Sequence, residues 1–308
     1  MSKKVGSNKF WMTGLVPATF TPMHEDGSLN LDQVLPVVER LLAFKAMALF
    51  VCGTTGESAS LSTPERKATL EAFIGAAAGR IPVVAHVGQS AIIESRDLAE
   101  HAQRSGAAAI AATPPTFFKP ASVEALVDCM AAIALAAPQL PFYYYHIPHM
   151  TGVSLDMVEF LRRAADRIPT LSGIKYTAPT LYEFQACAAL DGGRFNMVFG
   201  SDEMLLSGLA AGAQGAVGST YNLCAPLYHE IMSLFAKGKH AEAQCLQLLS
   251  VNMVEAVKRY RPLPALKSMM KLAGVDCGPT RLPLIPMTSA EIEGLRQELA
   301  AIGFLEWL

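Results

Sequence analysis

The residues of this chain best suited to chemistry are one lysine, one tyrosine and two short clusters of hydroxyls and carboxylates. Lys175 stands in LSGIKYT, Leu171 to Thr177, a short apolar run bounded by Ile168-Pro169 and Pro179, which is the length and punctuation of a buried strand. A buried lysine pairs with a carboxylate, snorkels to water or gives up its proton, because an ammonium without partners is costly to desolvate. The last course leaves a neutral amine able to attack a ketone and form a Schiff base; the plainer alternative is an ion-pair partner at a barrel rim. Tyr145 lies in PFYYYHIP, where Tyr143 shares its face and Tyr144 points away. A tyrosine hydroxyl near a lysine can relay a proton, although filling a core is the commoner use of the residue.

GTTGES, Gly53 to Ser58, carries Thr54 and Thr55 on a glycine-rich turn whose N–H groups could hold a carboxylate; a turn with no ligand is the bland alternative. Asp202 and Glu203 are adjacent, so only one is expected to face a site squarely. Both could instead be charges favourable to the dipole of a helix starting near Met204. His146 and His149 flank Ile147-Pro148 with no second ligand in metal spacing and read as structural or rim residues.

Elements to position these groups follow from the pattern of the chain. Eight apolar runs begin at Leu15, Ala48, Pro82, Ala108, Pro141, Leu171, Asn196 and Gly215, and most are separated by stretches of helical spacing: Leu31 to Phe44, Pro64 to Ala78 with Ser62 and Thr63 as a cap, Glu94 to Ser105, Val123 to Ala136 and Leu155 to Ala165. Eight strand–helix units predict a (β/α)8 TIM barrel. An open doubly wound sheet is the alternative, but the glycine fingerprint expected after its first strand is absent. From Ala225 onward only helices are expected, at Ala225 to Ala236, Ala241 to Lys258, Pro264 to Ala273 and Ser289 to Ile302. The chain thus divides into a barrel, 1–224, and a C-terminal helical extension, 225–308. In a barrel the reactive groups belong at the carboxyl ends of the strands, where Thr54, Thr55, Tyr145, Lys175, Thr177, Asp202, Glu203 and Ser219 all fall. Alternation puts Gly173, Lys175 and Thr177 on one face, read as the lumen.

The 308 residues carry a formal net charge of −2, about half of them apolar, without a basic block or an acidic tail, so a small-molecule substrate is expected rather than a nucleic acid or a membrane surface. No run approaches a membrane span and no secretory leader is recognised, which points to the cytoplasm. The six cysteines show no zinc spacing and read as reduced thiols.

GTTGE at Gly53 to Glu57, Tyr145 through Thr151-Gly152, and Gly173-Ile174-Lys175 together resemble the pyruvate-dependent class I aldolases that include dihydrodipicolinate synthase and N-acetylneuraminate lyase. FYYYHIP and the block Phe199 to Asn222 look most like the animal-type N-acetylneuraminate lyases. The resemblance implies Lys175 as the Schiff-base lysine, Tyr145 as the proton relay, and Thr54 and Thr55 as the holders of the pyruvate carboxylate. It implies Thr177, Gly200, Asp202, Glu203 and Ser219 as the residues along the sugar's hydroxyl tail. It further implies reversible cleavage of N-acetylneuraminate to N-acetylmannosamine and pyruvate, no metal or cofactor beyond the imine with Lys175, and a homotetramer.

Two positions depart from the wider pattern. Met150 stands where dihydrodipicolinate synthases place an arginine, which disfavours their condensation. Phe117 and Phe118 stand where many relatives carry a tyrosine reaching a neighbouring subunit's site. Imine chemistry on another 2-keto sugar acid, or a barrel that only binds a keto acid, are the alternative functions.

Overall fold

In the computed structural model, which describes residues 10–308, the eight apolar runs form eight parallel strands: β1 (Gly14–Pro17), β2 (Leu49–Val51), β3 (Val83–His86), β4 (Ala109–Ala112), β5 (Phe142–His146), β6 (Leu171–Tyr176), β7 (Asn196–Phe199) and β8 (Gly215–Gly218). Their order is β1-β8-β7-β6-β5-β4-β3-β2. A parallel bridge between Ala18 and Phe50 joins the two ends, so the sheet closes and the barrel, not the open sheet, is the fold. Residues 1–9, part of the segment on which the expectation of no leader rests, lie outside the described residues.

The helices are α1 (Val34–Ala43), α2 (Thr63–Ala77), α3 (Ile92–Ser105), α4 (Val123–Ala134), the single turn α5 (Pro148–Thr151), α6 (Met157–Arg167), α7 (Leu181–Ala189), α8 (Leu205–Ala210), α9 (Tyr221–Ala236), α10 (His240–Arg259), α11 (Pro262–Leu272) and α12 (Ser289–Ala301). Their starts are chemically marked. Ser62 and Glu65 form a reciprocal capping box on α2, as Thr288 and Glu291 do on α12, while Ser122 and Asp156 cap α4 and α6. Each such cap stabilises its helix by about 1 kcal/mol.

Helix ends fall within about three residues of expectation apart from one, which differs by four. α9 begins at Tyr221 instead of Ala225 and kinks at Cys224 (φ −141°, ψ 43°), two residues before Pro226. Proline has no N–H to donate and its ring crowds the carbonyl four residues back, so the first turn is broken, not absent. The carbonyls of Asn222 and Leu223 accept from Arg40 of α1 instead. The kink coincides with residue 224, where the sequence pattern changes from strand–helix alternation to helices alone.

Strand alternation sorts the side chains into two cores. Val16, Phe50, Val84, Tyr143, Tyr145, Val198 and Val217 fill the lumen. Tyr144, Ile174 and Tyr176 turn outward under the helices, Tyr144 against Phe160 of α6 with ring centroids 4.8 Å apart. The lumen is sealed at its amino end by Asn196, whose side chain bonds the backbone of Met12 in both directions and accepts from Tyr143 Oη at 2.8 Å. The other end is left for chemistry.

Candidate active site

Register sets the central pair: Tyr145 on β5 lies opposite Lys175 on β6. Both point into the lumen, and both are nearly inaccessible, at 3% and 4% exposure. Lys175 Nζ is 3.8 Å from the centroid of the Tyr145 ring and 4.6 Å from that of Phe50. No carboxylate among the described residues pairs with it, so the ion-pair reading of this lysine does not hold. Tyr145 Oη and Thr54 Oγ1 are 3.3 Å apart, a hydrogen bond that joins the tyrosine to the GTTGES turn.

That turn is fixed at both ends by residues in the left-handed backbone region, Cys52 (φ 57°) and Glu57 (φ 55°). Such conformations are unfavourable for non-glycine residues and persist where surrounding contacts impose them. Glu57 faces away from the lumen; its carboxylate meets Lys267 Nζ of α11 at 2.7 Å and accepts from Arg281 N–H at 3.0 Å. Burial pulls Lys267 down from the ordinary lysine range while Glu57 opposes the shift. The extension therefore grips the turn that carries Thr54 and Thr55.

Opposite, β7 and β8 supply the acidic part. Asp202 Oδ2 accepts from Thr220 N–H at 2.8 Å and Thr220 Oγ1–H at 2.7 Å. Burial pushes its carboxyl up to about 6, with the two Thr220 bonds resisting and Glu203 and Lys175 contributing smaller opposed effects. This carboxylate reaches across to the β8 end, and Asp202 and Glu203 also lie in the short turn that opens α8, so the dipole reading and the site reading hold together. Two glycines permit the approach: a Cβ on Gly218 would lie 1.6 Å from Asp202 Oδ1, and one on Gly200 would lie 1.9 Å from Thr177 Oγ1. Thr177 Oγ1 is buried with no hydrogen-bond partner, a hydroxyl left free for a ligand.

All nine residues singled out from the sequence, Lys175, Tyr145, Thr54, Thr55, Thr177, Gly200, Asp202, Glu203 and Ser219, line one cavity of about 190 Å³. Asp202 and Glu203 both line it. A neighbouring space of about 310 Å³ shares Thr54, Thr55, Asp202, Glu203 and Ser219 and continues to Val254, Val257 and Lys258 of α10 and Leu266 of α11. These helices of the extension, absent from the sequence-derived site, roof the mouth of the barrel.

The two histidines part company. His149 is exposed and lines both spaces, whereas His146 is buried beneath the helices between Tyr144 and Tyr176, its ring lowered to about 4 by burial. Sequence reasoning missed His86 and Arg66. His86 ends β3 two residues after the lumen-facing Val84, with its ring edge-on to Tyr145 at 5.8 Å. His86 Nδ1 lies 2.8 Å from Cys52 O and so carries the proton, and Nε2 accepts from Thr113 N–H at 3.3 Å. Alternation alone could have placed His86 in the lumen. Met150 lines the cavity without a donor to offer.

Comparison with known proteins fits this geometry. An N-acetylneuraminate lyase of Xenopus tropicalis is 41% identical over 277 residues, covering 89% of this chain and 90% of the relative. The solved N-acetylneuraminate lyase of Proteus mirabilis superposes with a TM-score of 0.93 at 37% identity, covering 96% of this chain and 100% of that one. A catalytic lysine mutant of the Ruminococcus gnavus sialic acid aldolase superposes with a TM-score of 0.90 at 26% identity, covering 96% and 98%. The model of the dihydrodipicolinate synthetase family matches residues 11–302, and with a barrel closed around an unpaired lysine on its sixth strand, the chain belongs to that family.

Proposed function

We propose that this chain is a class I lyase that reversibly cleaves N-acetylneuraminate to N-acetylmannosamine and pyruvate through an imine on Lys175. The observation that carries the proposal is the Lys175 amine itself: buried, without a carboxylate partner, and packed against Tyr145, whose hydroxyl meets Thr54. The relatives bear names of this activity, and one is described by its catalytic lysine.

In the cleavage direction the Lys175 nitrogen attacks C2 of the keto acid, and water leaves as the iminium forms. The iminium draws in the electron pair of the C3–C4 bond. Tyr145, left as a phenolate after giving its proton to the departing water, takes the C4 hydroxyl proton as that bond breaks, and the aldehyde departs. The enamine left on Lys175 regains a proton at C3, and hydrolysis of the imine frees pyruvate and the amine. Thr54, Thr55 and the N–H groups of their turn hold the carboxylate. Thr177, Asp202, Glu203 and Ser219 receive the polyol, Asp202 through the lone pairs of Oδ1 that Thr220 leaves free. The iminium supplies the electron sink that a metal would otherwise provide, so this scheme calls for no cofactor.

We further propose a homotetramer working in the cytoplasm. Phe117 and Phe118 are 81% and 86% exposed, edge-on to each other in the loop after β4, and a neighbouring subunit would cover such a pair. All six cysteines are unpaired, which suits a reducing compartment. The decisive assay is pyruvate release from N-acetylneuraminate by the purified protein. Release from a different 2-keto sugar acid alone would keep the chemistry and change the substrate; release from neither would remove the proposal.

A further inference from the structure

Arg66 is a guanidinium whose ionisable neighbours are the His86 ring and the Cys52 thiol, which burial pushes up to about 11, so neither supplies it a negative charge. It lies on α2 at 2% exposure, and its donors go to backbone carbonyls, Nη1 to Gly88 O at 2.9 Å and Nη2 to His86 O at 2.6 Å, while Nε has no partner. No carboxylate among the described residues pairs with it, whereas Lys267, the other buried cation behind the GTTGES turn, has Glu57. Arginine keeps its proton in protein interiors. A buried charge left uncompensated is destabilising, so its presence asks what anion it serves.

Its contacts lead to the keto-acid end of the cavity. Arg66 Nη2 is 3.4 Å from His86 Nδ1, and that nitrogen is 2.8 Å from Cys52 O. Cys52, held in the left-handed region, opens the turn that carries Thr54 and Thr55 into the cavity. On its other side the His86 ring meets Tyr145. Burial first, and then the charge of Arg66, keep His86 neutral, so an uncharged ring stands between the guanidinium and the cavity.

We infer that Arg66 is a positioning residue whose counter-ion is the carboxylate of the bound 2-keto acid, attracted across the His86 ring to the Thr54–Thr55 turn. It thereby makes the site selective for anionic over neutral ketones. This rests on Lys175 being the imine lysine.

The test is borohydride trapping of pyruvate and of its neutral amide, pyruvamide, on Lys175 over a range of ketone concentrations. In Arg66→Gln the half-saturating concentration of pyruvate is expected to rise about tenfold relative to that of pyruvamide, the effect of a unit charge across several ångströms of protein. Arg66→Lys, which keeps the charge, is expected to keep the wild-type ratio to within about threefold. A purely structural role would move both ketones equally, and equal changes, or none, overturn the inference. Should Arg66→Gln not fold, Arg66→Ala carries the test: guanidinium is expected to restore pyruvate trapping and urea, similar in shape and uncharged, is not. Equal effects of the two overturn the inference. Wild-type protein that traps no pyruvate overturns the proposed function as well; trapping with an unchanged ratio overturns the role of Arg66 alone.

Discussion

Lys175 Nζ lies over the ring of Tyr145 on the adjacent strand, 3.8 Å from its centroid, and the phenol oxygen of that ring is hydrogen-bonded to Thr54. Strand register makes this pair, because residues opposed in parallel strands and pointing into a narrow lumen must pack on each other. The amine is oriented by aromatic faces and not by a carboxylate, so no fixed anion competes with a ketone for it. A nucleophile and a proton carrier thus share one packing unit.

The first prediction follows from that packing. Lys175→Met is expected to abolish the borohydride-trapped pyruvate adduct seen by intact mass, while the protein keeps its melting temperature or gains in it. The substitution replaces an amine without an ionic partner by a side chain that the lumen can pack, and sites of this kind hold less stability than the fold could have. A large loss of stability would show that the lysine serves the barrel.

Tyr145→Phe removes the hydroxyl and leaves the ring that packs on Phe50, His86 and Lys175. Turnover is expected to fall about 10²- to 10⁴-fold, the range for a positioned proton carrier, with little change in melting temperature. Thr54→Val, which deletes the 3.3 Å partner of that hydroxyl, is expected to cost less. Steady-state rates of pyruvate release with matched melting curves check both, and an unchanged rate in Tyr145→Phe would assign the proton to another group.

Much of this arrangement was legible in the chain because it depends on local spacing. Lys175, Tyr145 and the GTTGES turn sit at the ends of apolar runs, and alternation correctly separated Tyr144 from Tyr145. Arg66 was illegible: within TPERKATLEAF it looks like one more charge on a solvated helix face, and only the closing of α2 over the end of β3 buries it. Lys267 was hidden for the same reason, since its partner Glu57 is 210 positions away in a turn whose other residues face the opposite way. Nor could spacing reveal that α10 and α11 roof the cavity; that depends on how the extension folds back over the mouth.

The Glu57–Lys267 pair makes a prediction of its own. Both side chains are essentially excluded from solvent, so Lys267→Met leaves an unpaired buried carboxylate and is expected to destabilise the protein by about 3–5 kcal/mol. Adding Glu57→Gln should return much of the loss, because an amide is far cheaper to bury than an unpaired charge. Denaturant titration of the two single variants and the double one measures the coupling, and strict additivity would refute it.

Asp202 gives a pH dependence with a definite sign. Its carboxyl, ordinarily near 3.8, is pushed up to about 6 chiefly by burial, so the folded protein holds that proton to higher pH than the unfolded chain. Stability from this group is therefore fully present below about pH 4, is lost as pH rises to about 6, and is flat above, a change of about 2–3 kcal/mol. Asp202→Asn lacks the titration, so its stability relative to wild type should improve across that window and stay constant beyond it. Urea denaturation at several pH values decides, and a difference independent of pH would place the group in the ordinary carboxylate range.

Gly218 tests whether Asp202 is held where it is by design of the strand ends. A methyl group there would sit 1.6 Å from Asp202 Oδ1, which no small relaxation absorbs, so Gly218→Ala must expel the carboxylate or displace β8. The protein is expected to lose stability and to lose sugar-acid cleavage more than pyruvate trapping, since the displaced group lies on the polyol side of the cavity. Combining Gly218→Ala with Asp202→Ala removes the clash, because alanine lacks Cγ as well as both oxygens, the three atoms the new methyl would meet at 1.6 to 2.6 Å. Non-additive recovery of the melting temperature in that pair would locate the strain between these two residues. If the two changes simply add, the glycine serves β8 alone and Asp202 is set by Thr220.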